Sequence, residues 1–362
     1  MTDRRGRWLL YGAYGYTGQL VAEEARRRGE RPVLAGRDPA KTAQLAARLG
    51  LDHVVFDLLG ARYVADILRG FDAVLHCAGP FHETYRPMLE GCLQAGTHYL
   101  DITGEIAVFE GCFARDAAAR EAGIVVLPGV GFDVVPSDCL AAHLKAALPG
   151  ATSLELAFGG GAGWSRGTAR TMVSGLHLGG AVRRGGRIVR VPLAWRTRTV
   201  PFRDKPRDAV SIPWGDVSTA YHTTGIPAIT VYIAMPPRVI RQLRMARLAL
   251  PLLRIPAVRR AAYARVSATV TGPDAARRDG ARMQLWGRAT DDRGGAAEAT
   301  LVTPEGYTLT ALSSVECVRR VLDGVVPPGA TTPGAAFGPA LLSAIPGCDL
   351  QPAAPPSAAA LR

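Results

Sequence analysis

Gly12-Ala13-Tyr14-Gly15-Tyr16-Thr17-Gly18 sets three glycines at Gly-x-x-Gly-x-x-Gly spacing directly after the apolar run Leu9-Leu10-Tyr11. The chemistry suited to such a turn is recognition of a dinucleotide. Gly12 permits the sharp turn, Gly15 lets backbone approach a pyrophosphate, and Gly18 lets the next helix pack closely on the strand. Amides at the start of the amphipathic stretch Gln19 to Arg28 then face the negative charge. Tyr14, Tyr16 and Thr17 complete this loop and count with the glycines as cofactor-contacting residues. A plain glycine turn is the alternative; the strand-to-helix context favours the cofactor.

The stretch Arg31-Pro32-Val33-Leu34-Ala35-Gly36-Arg37 reads as a second strand, ending where an NAD site would place an acidic residue. An acid there would bind the ribose hydroxyls. Arg37, with Lys41 one helical turn later, offers instead a planar fork for a 2′-phosphate. NADP is the expected cofactor. Asp38 stays open, either as an N-cap or as an inward-turned residue serving NAD.

A nicotinamide enzyme further needs a hydride donor held near its target and a proton source. Asp57 and Ala78-Gly79-Pro80 lie at expected strand ends and should border the cofactor. Tyr85, with His82 beside it, follows Pro80 within a turn; Tyr99, Asp101, Glu105 and Asp133 mark the next two strand ends. Tyr221 and His222 adjoin a glycine-proline turn further on. Tyr85, Asp133 and His222 are the nominated proton donors. Each has a plainer reading as a packed or capping side chain, Asp133 as a brace for its own loop. Gly159–Gly163 is a rival phosphate cradle without the Lys-Ser/Thr ending of a P-loop, and reads as a flexible loop over the substrate cleft.

No metal set is expected. The six cysteines (Cys77, Cys92, Cys112, Cys139, Cys317, Cys348) lack C-x-x-C or Cys/His spacing and read as reduced core thiols of a cytoplasmic protein. Met1-Thr2-Asp3-Arg4-Arg5 leads straight into the first strand, so no signal peptide is expected, and no apolar run is long enough for a membrane helix. The net charge of +12 is mostly arginine spread along the chain, without a helix-turn-helix, zinc finger or stacking platform, and does not point to nucleic acid. Residues 237–265 interleave arginines with apolar residues. They suit peripheral contact with an anionic membrane or, the favoured reading, a surface helix packed on its own domain or on a second copy in a homodimer.

These residues need a scaffold. Strand and helix alternate with short connections through the first 135 residues, the signature of a doubly wound parallel sheet. Strands are expected at Leu9–Tyr11, Arg31–Arg37, His53–Asp57, Phe71–Pro80, His98–Gly104 and Ile124–Gly129. Intervening helices are expected at Ala40–Leu49, Val64–Arg69, Tyr85–Ala95 and Ile106–Ala122. Beyond Pro136 the pattern predicts strands at Ser153–Phe158, Gly186–Pro192, Ala228–Ala234, Ser267–Gly272, Ala281–Thr290 and Ala297–Thr303, with a helix at Thr168–Leu178. The fold class is α/β: a Rossmann-type sheet plus a second α+β domain with a mainly antiparallel sheet. The expected division is 1–135 for NADP binding, 136–310 for substrate and catalysis, 311–350 returning to the first domain through a helix at Leu312–Leu322, and 351–362 as a disordered tail.

Gly12–Gly18, Leu34-Ala35-Gly36-Arg37, Ala78-Gly79-Pro80-Phe81, Tyr99–Glu105 with its Asp-x-Thr-Gly-Glu, and Gly131-Phe132-Asp133-Val134-Val135-Pro136-Ser137-Asp138 together resemble the saccharopine dehydrogenase-like reductases. The look is closest to bacterial trans-acting enoyl reductases. The resemblance implies an NADP-binding domain and a mixed α/β catalytic domain. From it follows the expected function: an NADPH-dependent oxidoreductase reducing an activated C=C (enoyl) or C=N (imine) bond of a small metabolite. Trp164, Met172, Leu176 and Leu178 suggest a partly apolar one. Two alternatives stay open. One is a saccharopine-type amino-acid dehydrogenase using Arg166, Arg170, Arg183 and Arg184 as carboxylate clamps. The other is a non-catalytic NADP-binding sensor or scaffold.

Overall fold

The computed structural model describes residues 6–161, 163, 179–247, 258 and 272–352. Strands β1 (Trp8–Tyr11), β2 (Val33–Gly36), β3 (His53–Val55), β4 (Ala73–His76), β5 (His98–Asp101) and β6 (Val125–Leu127) form one parallel sheet. Its order is β3-β2-β1-β4-β5-β6, with the short strand Gly329–Ala330 added beside β6. The central strands are apolar along their length because helices cover both faces. The order reverses between β1 and β4, so the crevice at their carboxyl ends is where a ligand binds in such a sheet.

Helices follow the strands at Tyr16–Arg27, Pro39–Leu49, Ala61–Leu68 and Phe81–Ala95. The helix expected over 106–122 is broken into Ile106–Phe113 and Asp116–Glu121. Asp116 restarts it: one carboxylate oxygen accepts from the Ala330 amide, tying this turn to the added strand, and the other from Arg120.

The second sheet contains β7 (Ser153–Gly160), β8 (Gly180–Arg184), β9 (Arg187–Val191), β10 (Thr197–Pro201), β11 (Pro206–Ile212), β12 (Ala228–Ala234), β13 (Arg282–Thr290), β14 (Ala296–Pro304) and, after Gly329–Ala330 (β15), β16 (Asp349–Pro352). Its order is β10-β11-β12-β7-β13-β14-β16, with the β8–β9 hairpin joined to β12. β7 and β12 are parallel and the other pairings antiparallel. The helix Val135–Ala147 packs on β13 and β14 and on the helix Asp216–Thr224. The sequence pattern does not predict β8, β10 and β11, whose arginines count as polar in a hydropathy alternation.

The helix Gly306–Leu322 returns to the first sheet and lies along Tyr16–Arg27, where Arg28 bonds Glu316 at 3.0 Å. The chain then turns back. The tail expected to be disordered from Gln351 begins inside β16, where Gln351 and Pro352 pair with Thr300 and Ala299, and Leu350 lies opposite Leu301. Of the 237–265 stretch, the helix Pro237–Ala246 is described; Ile240 is buried, and the Arg247 guanidinium reaches the carbonyls of Leu193 and Ala194. The expected helix at Thr168–Leu178, the strand residues 267–271, and Trp164, Arg166, Arg170, Met172, Leu176 and Leu178 lie outside the described residues. No described helix is long and apolar enough to cross a membrane.

Candidate active site

The glycine loop is built as its spacing requires. Gly12 takes φ +81°, and a Cβ there would meet the Ala78 amide at 2.8 Å. A Cβ on Gly18 would lie 2.3 Å from the Gly12 carbonyl, so the helix can approach only with glycine at that point. Above Gly15 the space is open apart from the Gly12 carbonyl at 3.2 Å. The helix Tyr16–Arg27 starts at Gly15 with no side-chain cap, which leaves its first amides to an anion. Tyr14 lays its ring over Gly36, and Gln19 fixes the loop through the Tyr14 carbonyl at 2.9 Å. These residues fit a dinucleotide pyrophosphate.

The two cations beyond β2 are not equivalent. Asp38 is the N-cap of the next helix, accepting from the Lys41 amide at 3.1 Å. Its carboxylate also holds the Lys41 ammonium at 2.8 Å. Arg37 is exposed and makes no hydrogen bond or ion pair among the described residues. It is the better placed of the two for a 2′-phosphate. Asp57 lies two residues beyond β3, with its carboxylate accepting from the Leu58 amide at 2.8 Å.

At the carboxyl end of β4, Ala78-Gly79-Pro80 turns through a cis Gly79-Pro80 bond into the helix Phe81–Ala95. Glu105, at the end of the loop that follows β5 and next to the helix Ile106–Phe113, reaches across to this helix start. Its carboxylate accepts from the amides of Phe81 (2.9 Å) and His82 (3.2 Å) and contacts His82 Nδ1 at 2.8 Å. This pairing was invisible in sequence because its partners stand 23 positions apart on different connections. Tyr99 and Asp101 serve the frame instead. The Asp101 carboxylate accepts from the Tyr99 hydroxyl and from the amides of Thr103 and Gly129, with burial holding it up at about 6.

Asp133 follows β6 and sits against the same loop: a Cβ on Gly104 would fall 2.5 Å from Asp133 Oδ2. Its backbone is fixed, the carbonyl accepting from Trp214 Nε1 at 2.8 Å. The carboxylate receives no hydrogen bond among the described residues, and burial pushes it up to about 7. Neither Asp133 nor Asp138 caps the helix Val135–Ala147, which has no side-chain cap. Asp138 accepts instead from Thr223 (2.6 Å) and the Gly334 amide (2.7 Å). Behind them Asp216 is fully buried, its pKa raised by desolvation.

The three nominated proton donors do not converge. Tyr85 packs its hydroxyl end on Gly111, beside the Glu90–Arg115 pair. His222 stacks on Phe113 at 3.8 Å and lies 3.9 Å from Glu110. Glu110 also accepts from Ser218 (2.5 Å) and Arg183 (3.1 Å), and the nearby His222 ring is the largest of the influences that hold its carboxyl well below the usual range. Asp133 alone of the three touches the loop between the β4 and β6 ends.

The family model for the saccharopine dehydrogenase NADP binding domain matches residues 8–127. A saccharopine dehydrogenase-like oxidoreductase of Bos taurus is 27% identical over 150 residues, covering 36% of this chain and 35% of that protein. A trans-acting enoyl reductase of Mycobacterium bovis is 32% identical over 143 residues, covering 36% and 33%. The chain thus spans about a third of the length of the curated relatives it matches. Apo saccharopine dehydrogenase (L-Glu forming) from Saccharomyces cerevisiae shares the fold, with a TM-score of 0.64 at 13% identity over 96% of this chain and 100% of that one. Residues 8–127 thus match a saccharopine dehydrogenase NADP binding domain, and the two sheets together share the fold of saccharopine dehydrogenase.

Proposed function

We propose that this chain is an NADPH-dependent reductase of an activated C=C or C=N bond in a small, partly apolar metabolite, with Asp133 as the proton donor. The observation that carries this reading is the Asp133 carboxyl: desolvated, raised to about 7, and held on the Gly104 loop at the carboxyl edge of the cofactor sheet. A bound NADPH supplies a hydride. The chain's own residues do the rest: the glycine loop fixes the pyrophosphate, Arg37 meets the 2′-phosphate, and Gly79-Pro80 borders the crevice. Asp133 holds a proton at its carboxyl oxygen near neutral pH and releases it to the atom that gains charge.

The amino-acid dehydrogenase reading is weaker for a specific reason. Arg183, one of its proposed clamps, is buried with its guanidinium spent on the carbonyls of Val217 (2.8 Å) and Gly186 (2.7 Å) and on Glu110. Arg184 stacks over Trp195 at 4.4 Å. We place the protein in the cytoplasm, acting on a small molecule and not on nucleic acid.

The test is NADPH oxidation with medium-chain enoyl thioesters, cyclic imines, and lysine plus 2-oxoglutarate. Turnover of either of the first two supports the proposal. Activity confined to the last pair would restore the amino-acid dehydrogenase, and tight NADPH binding without turnover of any would leave a sensor.

A further inference from the structure

His82 and Asp133 stand on either side of one short loop. The amides of Phe81 and His82 fix the Glu105 carboxylate at the helix start, and the carboxylate in turn holds the His82 ring by one hydrogen bond, through Nδ1 at 2.8 Å. One residue earlier in that loop, Gly104 lies against the Asp133 carboxylate. The ring is exposed at the carboxyl edge, and among the described residues Nε2 has Glu83 at 3.7 Å. An imidazole oriented by a carboxylate through Nδ1 presents its other nitrogen for hydrogen bonding.

Two separately mounted groups suit a substrate with two atoms to be served. A C=N bond needs one proton, at nitrogen, once its carbon has received hydride. A C=C bond conjugated to a carbonyl needs two services: a donor at the carbonyl oxygen and a proton for the α-carbon. We propose that His82, positioned by Glu105, is a catalytic residue that, with both ring nitrogens carrying hydrogen, gives one to Glu105 from Nδ1 and donates the other from Nε2 to the carbonyl oxygen of an α,β-unsaturated thioester, ester or ketone. This inference rests on the reductase reading above and names its substrate class.

The electrons balance. Hydride from a reduced nicotinamide forms the new C–H bond at the β-carbon. The C=C pair shifts to the bond between α-carbon and carbonyl carbon, and the C=O pair moves onto oxygen, where His82 stabilises it. That pair then returns to C=O as the α-carbon takes the proton of Asp133, which solvent later replaces.

The experiment uses the full chain with a cinnamoyl thioester, a trans-2-hexenoyl thioester and 1-pyrroline as probes. With NADP+ in place of NADPH, the conjugated absorbance band of the bound cinnamoyl thioester should shift to the red in wild type and not in His82→Phe. With NADPH, His82→Phe should lower kcat on the hexenoyl thioester by about 100-fold, and His82→Gln, which restores a donor, should recover part of it. NADPH affinity should match wild type in both variants, showing an intact fold and cofactor site. Wild-type kcat and an unchanged red shift in His82→Phe would overturn the inference and leave the reductase reading standing, as would turnover of 1-pyrroline without turnover of the hexenoyl thioester. No NADPH oxidation with either reducible probe would overturn both.

Discussion

Tyr16, the first residue of the cofactor helix, donates a 2.6 Å hydrogen bond to the Pro273 carbonyl, binding the glycine loop to the segment that leads through the helix Ala275–Gly280 into β13 of the second sheet. Arg278 completes the joint, reaching both the Tyr16 hydroxyl and the Pro273 carbonyl at 3.0 Å. Tyr307 meets the ring edge-on at 4.9 Å, and Gly272 leaves space for it. Tyr16→Phe keeps the ring and removes the hydroxyl, so it should cost about 1–2 kcal/mol in denaturant unfolding. Unchanged stability would mean that the joint contributes only through its ring contacts.

Arg37 should set the cofactor preference. Arg37→Asp removes the unpaired cation beyond β2 and brings a repelling charge, which should weaken NADPH binding by about 2–4 kcal/mol and favour NADH relatively. Fluorescence titration of both cofactors checks this. Equal affinity of the wild type for NADH and NADPH would remove the role given to Arg37.

Gly15 keeps space clear for phosphate. Gly15→Val should abolish NADPH binding while leaving the far-ultraviolet circular dichroism unaltered, because the branched side chain would fill the open region above the loop. An unchanged dissociation constant would show that the turn serves packing alone.

Asp133 predicts a pH-dependent stability with a definite sign. Its folded value of about 7 lies above the ordinary 3.8. Between these the folded chain keeps a proton that the unfolded chain has released, so this residue's contribution to stability falls as pH rises from about 4 to about 7. It is flat on either side. The loss is at most roughly 4 kcal/mol. Asp133→Asn lacks it, so the variant should gain on wild type in chemical denaturation between pH 5 and pH 8. A constant difference across that range would contradict the burial argument.

The cofactor half was legible because its signals are local: an apolar strand, three spaced glycines and a helix occupy the single stretch Leu9–Arg27. Arg37 could be nominated in the same way, from position along one strand end, while Asp38 kept two readings there until the structure showed it as the N-cap. Asp133 could be nominated with its plainer role still open, and that its carboxylate receives no hydrogen bond among the described residues is a fact of tertiary packing. Glu105–His82 and Tyr16–Pro273 could not be read at all, since no period or motif links side chains on different connections. Strands β10 and β11 were missed because their alternation is carried by arginine stems, which stack on aromatic rings, as Arg198 does over Trp286 and Arg207 over Phe202. A hydropathy pattern counts such residues as polar.

The most direct test of the central claim is the pH profile of hexenoyl-thioester reduction at saturating NADPH, for wild type beside Asp133→Asn. A protonated Asp133 as the acid predicts a wild-type kcat that declines tenfold per pH unit above about 7, and a variant slower by about 100–10,000-fold with no such inflection. A flat wild-type profile, or an Asp133→Asn variant that keeps wild-type kcat, would contradict the account.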